Sequence, residues 1–257
     1  MRPGYLCPGL FSTKKEWRMT RILLIPGLIC DAHVWQATLC TLEDRDVAVA
    51  DVTHQPSITA MAEDLLARHT GDLVVIGHSM GGRVAMEMAR IAPARVQGMA
   101  LLNTGMAPLG AGELPKREAM IAFCHNEGMA GLAEKWLPGM MADGIAPDPQ
   151  VMNGLRAMVQ RMTPEIHERQ IRALIGRPDA SLSMPAYKGA LLLMTGRQDI
   201  WSPIGPHEDI ARLCPQARLE IIEEAGHFAP VEQPASVALL LAAWVAETAS
   251  IQQENAT

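Results

Sequence analysis

Ser79, Asp199 and His227 are the residues of this chain whose types, order and surroundings allow nucleophilic chemistry. A serine hydroxyl is a poor nucleophile at neutral pH. A base must take its proton as it attacks, and a carboxylate behind an imidazole base fixes the ring's tautomer and stabilises the imidazolium. Ser79 stands at the centre of Gly77-His78-Ser79-Met80-Gly81, a G-x-S-x-G pentapeptide followed by Gly82. In a chain this rich in glycine the pentapeptide alone arises by chance in about one sequence in twenty. Its flanks supply the missing specificity. The apolar run Leu73–Ile76 precedes it and a helical pattern from Met80 follows it, so the serine falls on a sharp strand-to-helix turn. Asp199 follows the apolar run Ala190–Thr195, and His227 follows the run ending at Ile222. An acid and a base just past strand ends lie on the edge where open α/β sheets keep their sites.

The elements that must position these residues alternate along the chain. Apolar runs predict strands at Ile22–Pro26, Val47–Val52, Leu73–Gly77, Gly98–Asn103, Ala190–Thr195 and Arg218–Ile222. Helical periodicity falls between them, near Val34–Leu42, Ile58–Arg68, Met80–Ile91, Ile204–Leu213 and Pro234–Ala246. Such alternation predicts an α/β fold, with a mostly parallel sheet covered by helices on both faces. It breaks between Met106 and Ala186, where helical patterns at Glu113–Glu127, Met129–Met141, Pro149–Met162 and Pro164–Ile175 follow one another without a strand. That stretch is rich in methionine, which fills gaps between helices and also makes a deformable apolar wall. Residues 1–18, with two Pro-Gly turns and a polar run, are expected to be an appendage with few core contacts.

The chain resembles the cap-bearing, single-domain enzymes of the α/β-hydrolase superfamily, among them small esterases and lactonases. The resemblance is carried by Leu24-Ile25-Pro26-Gly27, the pentapeptide, Gly196-Arg197-Gln198-Asp199 and Ala225-Gly226-His227, in the Ser…Asp…His order of that fold. It implies a core of residues 19–105 and 187–257, and an all-helical cap inserted over 106–186. It implies a serine hydrolase cleaving a carboxylic ester or lactone of a small-to-medium apolar molecule through an acyl-enzyme on Ser79. The backbone N–H groups of Met80 and Leu28 would form the oxyanion hole. Many relatives have His-Gly after the first strand where this chain has Pro26-Gly27, and Asp31 and His33 are candidates to support the loop instead. Trp136, Met140, Met141, Trp201 and Phe228 are the candidates for lining the pocket. Carbon–carbon bond hydrolysis, acyl transfer and slow-turnover ligand reception are alternatives within the same fold.

Composition narrows the partners. A formal charge of −6 argues against nucleic acid and anionic membrane surfaces. No apolar run approaches the ~18 residues of a bilayer span. Five scattered cysteines without C-x-x-C suggest reduced thiols in a cytoplasm and no thiolate metal site. The histidines at 33, 54, 69, 125, 167 and 207 show no metal-ligand spacing, and most of them read as surface residues. Arg117, Arg156, Arg161, Arg169 and Arg172 read as solvated helix faces. Neither a cofactor nor a metal is expected, the partner is a small ester-type substrate, and nothing demands an oligomer.

Overall fold

A computed structural model describes residues 20–255, the last five by backbone alone. The expected appendage at residues 1–18 lies outside the described residues. The six strands are β1 (Arg21–Ile25), β2 (Val47–Val49), β3 (Leu73–His78), β4 (Val96–Leu102), β5 (Ala190–Gly196) and β6 (Ala217–Ile222). They form one sheet in the order β2-β1-β3-β4-β5-β6. Every pairing among them is parallel. The chain moves outward from β1 to β2, then returns to lay β3 on the other side of β1. That reversal opens a crevice at the C-terminal ends of β1 and β3, the place where open α/β sheets bind ligands.

The helices, in chain order, are α1 (Gln36–Thr41), α2 (Ile58–Arg68), α3 (Met80–Ile91), α4 (Glu113–Trp136), α5 (Pro149–Gln160), α6 (Pro164–Ile175), α7 (Ile204–Leu213), α8 (Ala229–Glu232) and α9 (Pro234–Asn255). Side chains alternate across the sheet because strand residues point to opposite faces. Ile22, Leu24, Val74, Ile76, Leu102 and Met194 face one core, packed against Trp35 and against Val237, Leu241 and Trp244 of α9. Leu23, Ile25, Val75, Leu101 and Leu193 face the other, against α2, α3 and Ile210 of α7. A strand buried on both faces needs apolar residues at every position, which is why β3 and β5 read as unbroken apolar runs.

Between β4 and β5 the chain forms α4, α5 and α6 and short 3₁₀ turns, a helical cap. Gly128 sits inside α4 with φ 68° and ψ −177° and breaks it, so the two helices expected on either side of residue 128 meet at a kink. Cys124, Met129, Leu132, Leu137, Met140, Met152, Leu155 and Met158 of the cap join the first of the two cores. Most of the cap methionines therefore fill core. Three short elements fall outside the expected patterns: the 3₁₀ turns Ala180–Leu182 and Met184–Ala186, and α8. The C-terminal helix also runs beyond Ala246, to Asn255.

Candidate active site

Ser79 follows β3 immediately and starts α3. Its backbone is held at φ 54° and ψ −115°, a region that costs a non-glycine residue on the order of 1–3 kcal/mol. Its N–H donates to the Leu102 carbonyl (2.8 Å) and the Gly82 N–H donates back to its own carbonyl (3.0 Å). The Thr104 hydroxyl also donates to the Ser79 carbonyl (2.8 Å). The turn is thus tied on three sides. The tightness of the elbow requires glycine at position 81: a Cβ there would lie 2.1 Å from the Ile25 carbonyl oxygen.

Ser79, Asp199 and His227 come together although 120 residues separate the first two in sequence. His227 Nε2 is 2.9 Å from Ser79 Oγ, and His227 Nδ1 is 2.9 Å from Asp199 Oδ2. With the proton on Nδ1, the ring donates to Asp199 and accepts from the serine hydroxyl. Asp199 is nearly inaccessible, at 3% exposure. Burial pushes its carboxyl upward, but hydrogen bonds from His227, the Ser202 N–H and Asn103 outweigh that and bring it down to about 2. Its Oδ1 accepts the N–H groups of Trp201 and Ser202, both at 2.8 Å. The acid therefore stays ionised while facing the imidazole, the arrangement that steadies a developing imidazolium.

Several residues of the site carried no recognisable pattern. Asn103, at the end of β4 with φ 49°, donates from Nδ2 to Asp199 Oδ2 (2.9 Å) and to the Gly226 carbonyl (3.0 Å). Glu232 of α8 accepts the N–H groups of Gly226 (3.0 Å), Phe228 (3.1 Å) and, from the cap, Ala142 (2.8 Å). Its burial raises its carboxyl pKa despite those bonds. The His227 backbone N–H donates to the Met140 carbonyl (2.8 Å), so the cap and the His227 loop are stitched together. These are single polar side chains bonded to loop backbone, and a one-dimensional pattern has no periodicity to reveal them.

The loop after β1 gains its support from the cap. Gln170 of α6, fully buried, accepts the Ile29 N–H (2.7 Å) and donates to the Val52 carbonyl (3.1 Å). Asp31 and His33, the candidate supports, also tie this stretch to the cap. Asp31 caps the 3₁₀ turn Ala32–Trp35 and pairs with Arg161, and the His33 ring lies against Gly154 of α5. His78 is buried beneath the same loop and donates from Nε2 to the His227 carbonyl (2.7 Å).

Leu28, Ser79, Met80 and His227 line one cavity of about 390 Å³. The two residues expected to form the oxyanion hole therefore open onto the same space as Ser79. Trp136 and Trp201 reach its wall. Phe228, Met140 and Met141 do not. Phe228 is fully buried, packed between the His78 ring (centroids 5.6 Å apart) and the edge of Trp136 (5.9 Å), so it backs the wall from behind. Met140 is packed in the core, and Met141 lines a separate crevice with Ile145 and Val151. The wall also carries charge that the sequence reading placed in solvent: Arg117 lines the cavity, with Arg83, Lys116, Arg177 and Glu113. Among the described residues no group of three or more His, Cys, Asp or Glu is placed to hold a metal ion.

Of the six histidines read as mostly surface residues, His167 and His207 are buried. His207 accepts the Thr104 N–H at Nε2 (3.1 Å) and donates from Nδ1 to the Pro203 carbonyl (3.1 Å), which fixes it as a neutral ring beneath the elbow. Burial is the main cause that drops His207 and His167 to about 4 and, with the field of His227, His78 to about 3. Unfolded, these rings take up protons near pH 6.5. Their contribution to stability is thus complete above that pH and is lost as pH falls from about 6.5 toward 4. Urea unfolding is expected to show a loss of roughly 2–3 kcal/mol for each of His167 and His207 between pH 7 and 4.5. The loss should shrink in His207→Gln, and a flat profile in wild type would show that the folded protein accommodates the charged rings.

This fold and this site define an α/β hydrolase: the profile of the Alpha/beta hydrolase family matches residues 5–238, and the chain belongs to that family. Among solved structures it is similar to a thermophilic esterase from Thermogutta terrifontis, at 28% identity and a TM-score of 0.81, covering 89% of this chain and 90% of that one. The enol-lactonase of Burkholderia xenovorans shares the fold, with a TM-score of 0.79 and 21% identity over 88% and 91% of the two chains. Among curated proteins it is 28% identical to the mouse sn-1-specific diacylglycerol lipase ABHD11 over 72% of this chain, and 26% identical to the lipase LipV of Mycobacterium tuberculosis over 65%. The match spans just under two thirds of the length of those two relatives, 64% and 63%. No helix among the described residues is long and apolar enough to cross a membrane.

Proposed function

We propose that this protein is a serine hydrolase that cleaves a carboxylic ester or lactone of a small-to-medium molecule through an acyl-enzyme on Ser79. The observation that carries the reading is the hydrogen-bonded line Ser79–His227–Asp199, with both contacts at 2.9 Å, opening onto a cavity large enough for a small ester. His227 takes the serine proton as Oγ attacks the acyl carbon and returns it to the leaving alkoxide. The N–H groups of Leu28 and Met80 receive the oxyanion. Water activated by the same imidazole then releases the acid. Trp136, Leu28, Leu174 and Trp201 offer the apolar surface for the remainder of the substrate. In this reading the stretch 106–186 is the cap over the core of 19–105 and 187–257. The esterase, lactonase and lipase names of the relatives support ester cleavage. A cytoplasmic location belongs to the same proposal, supported by the free thiols of Cys30, Cys40, Cys124 and Cys214.

The test is covalent. A fluorophosphonate probe is expected to label the folded protein once, on the tryptic peptide containing Ser79, and labelling should slow at least about 100-fold in His227→Ala because the base is gone. Labelling elsewhere, or at an unchanged rate without His227, would defeat the acyl-enzyme reading.

A further inference from the structure

Four cationic side chains, Arg83, Lys116, Arg117 and Arg177, line the cavity that holds Ser79 and His227, and Glu113 is the acid among its lining residues. This concentration of positive charge lies in a chain whose formal charge is −6. One cation has a structural task. Arg177 donates to the carbonyls of Ala107 (3.1 Å), Pro108 (2.8 Å) and Leu174 (2.8 Å) and to Glu113 (2.8 Å), fastening the entry to the cap. Glu113 is fully engaged: it also accepts from Arg117 Nε (2.8 Å) and the Gly110 N–H (2.9 Å). Burial favours its protonation, yet the bonds from Arg177, Gly110 and Arg117 bring it down to about 2. It has no capacity left to neutralise the other cations.

Those others are under-used. Arg83, one turn of α3 beyond Ser79, makes a single hydrogen bond among the described residues, from Nη1 to the Ala107 carbonyl (2.8 Å). Its Nε and Nη2 have no partner there. Arg117 spends Nε and Nη2 on Glu113 and leaves Nη1 open. Lys116 makes no ion pair among the described residues and is exposed. Burial, then the fields of Arg177 and Arg117, bring the Arg83 guanidinium down to about 9, so these cations disfavour one another's charge. Fastening one loop does not require this arrangement. An anion in the cavity would satisfy the open donors and relieve the repulsion together, and a guanidinium pair is the natural receptor for a carboxylate.

We propose that the cavity selects an ester or lactone whose acyl or alcohol portion ends in a carboxylate, received by Arg83 and Arg117 with Lys116 at its rim. The proposal rests on the serine-hydrolase reading and names its substrate class: an acidic half-ester in place of a wholly apolar ester.

The test compares mono-p-nitrophenyl adipate with p-nitrophenyl hexanoate, acyl chains of equal length that differ by the terminal carboxylate. Wild type is expected to favour the acid ester at least 10-fold in kcat/KM, with the preference shrinking as salt is raised. In Arg83→Gln and Arg117→Gln the ratio of the two kcat/KM values should fall several-fold, and in the double variant it should approach one. The ratio is taken within each variant, so partial unfolding cancels. A wild-type ratio at or below one, with hexanoate turnover abolished by Ser79→Ala, overturns the anion subsite and leaves the serine reading standing. Turnover of both esters unaffected by Ser79→Ala overturns the serine reading instead. Should wild type turn over neither ester, calorimetric titration with monomethyl adipate and dimethyl adipate decides: tighter binding of the acid by 10-fold or more, lost in the double variant, supports the subsite, and equal or absent binding of the acid refutes it.

Discussion

Replacing Ser79 by alanine is expected to lower kcat on p-nitrophenyl butyrate by a factor of about 10⁴ to 10⁶ while leaving the fold intact. The loss follows from the geometry. His227 Nε2 has its 2.9 Å contact with Oγ, and without that oxygen the base has no nucleophile to deprotonate. His227→Ala should cost a similar factor, because the hydroxyl then attacks with its proton in place. The double variant should be little worse than either single one, since the residues act as one unit. Asp199→Asn should cost less than or about 10⁴, because the amide leaves the ring present but favours the wrong tautomer. Circular dichroism on each variant separates chemistry from unfolding. A Ser79→Ala protein retaining more than about 1% of wild-type kcat would mean that water attacks without the acyl-enzyme, and the serine would lose its assigned role.

Gly81→Ala and Gly196→Ala should be the most damaging substitutions away from the reacting atoms. At Gly81 the new methyl would sit 2.1 Å from the Ile25 carbonyl oxygen and 2.7 Å from that of Pro26, where α3 begins against the end of β1. At Gly196 it would sit 2.1 Å from the Ala225 carbonyl oxygen and 2.5 Å from that of Gly226. Both obstacles are backbone, which cannot swing aside as a flexible side chain can. Relief requires moving the elbow away from β1, or the Asp199 loop away from the His227 loop. Each variant is expected to lose about 3 kcal/mol or more, a fall in Tm of roughly 6–12 °C for a chain of this size, or to be recovered insoluble. Gly205→Ala makes the contrast. It lies in the first turn of α7 with no atom within 4 Å of the added methyl. There the substitution should stabilise by about 0.4–1 kcal/mol through helix propensity and a less flexible unfolded chain. Unchanged thermal unfolding in Gly81→Ala would show that the elbow has slack that its geometry denies.

The sequence by itself determined the alternating architecture and the order of the candidate triad. Strands buried on both faces must be apolar at every position, so β3 and β5 announce themselves, and the register of Ser79, Asp199 and His227 just past strand ends follows from those runs. The helical stretch between β4 and β5 was legible for the same reason: amphipathic periodicity without an intervening apolar run. What the tertiary structure decided are the contacts that no period encodes. Gln170 reaches across from the cap to hold the loop after β1, and Asn103 bridges the acid and histidine loops. His207, one of six histidines without a telling pattern, is held neutral beneath the elbow. Arg117 sits on a helical pattern whose polar face predicts solvent, yet the fold turns that face toward the cavity, beside Arg83 and Arg177 from distant segments. A local pattern reports whether a helix has a polar side. Whether that side meets water or a substrate depends on what the rest of the chain places opposite it.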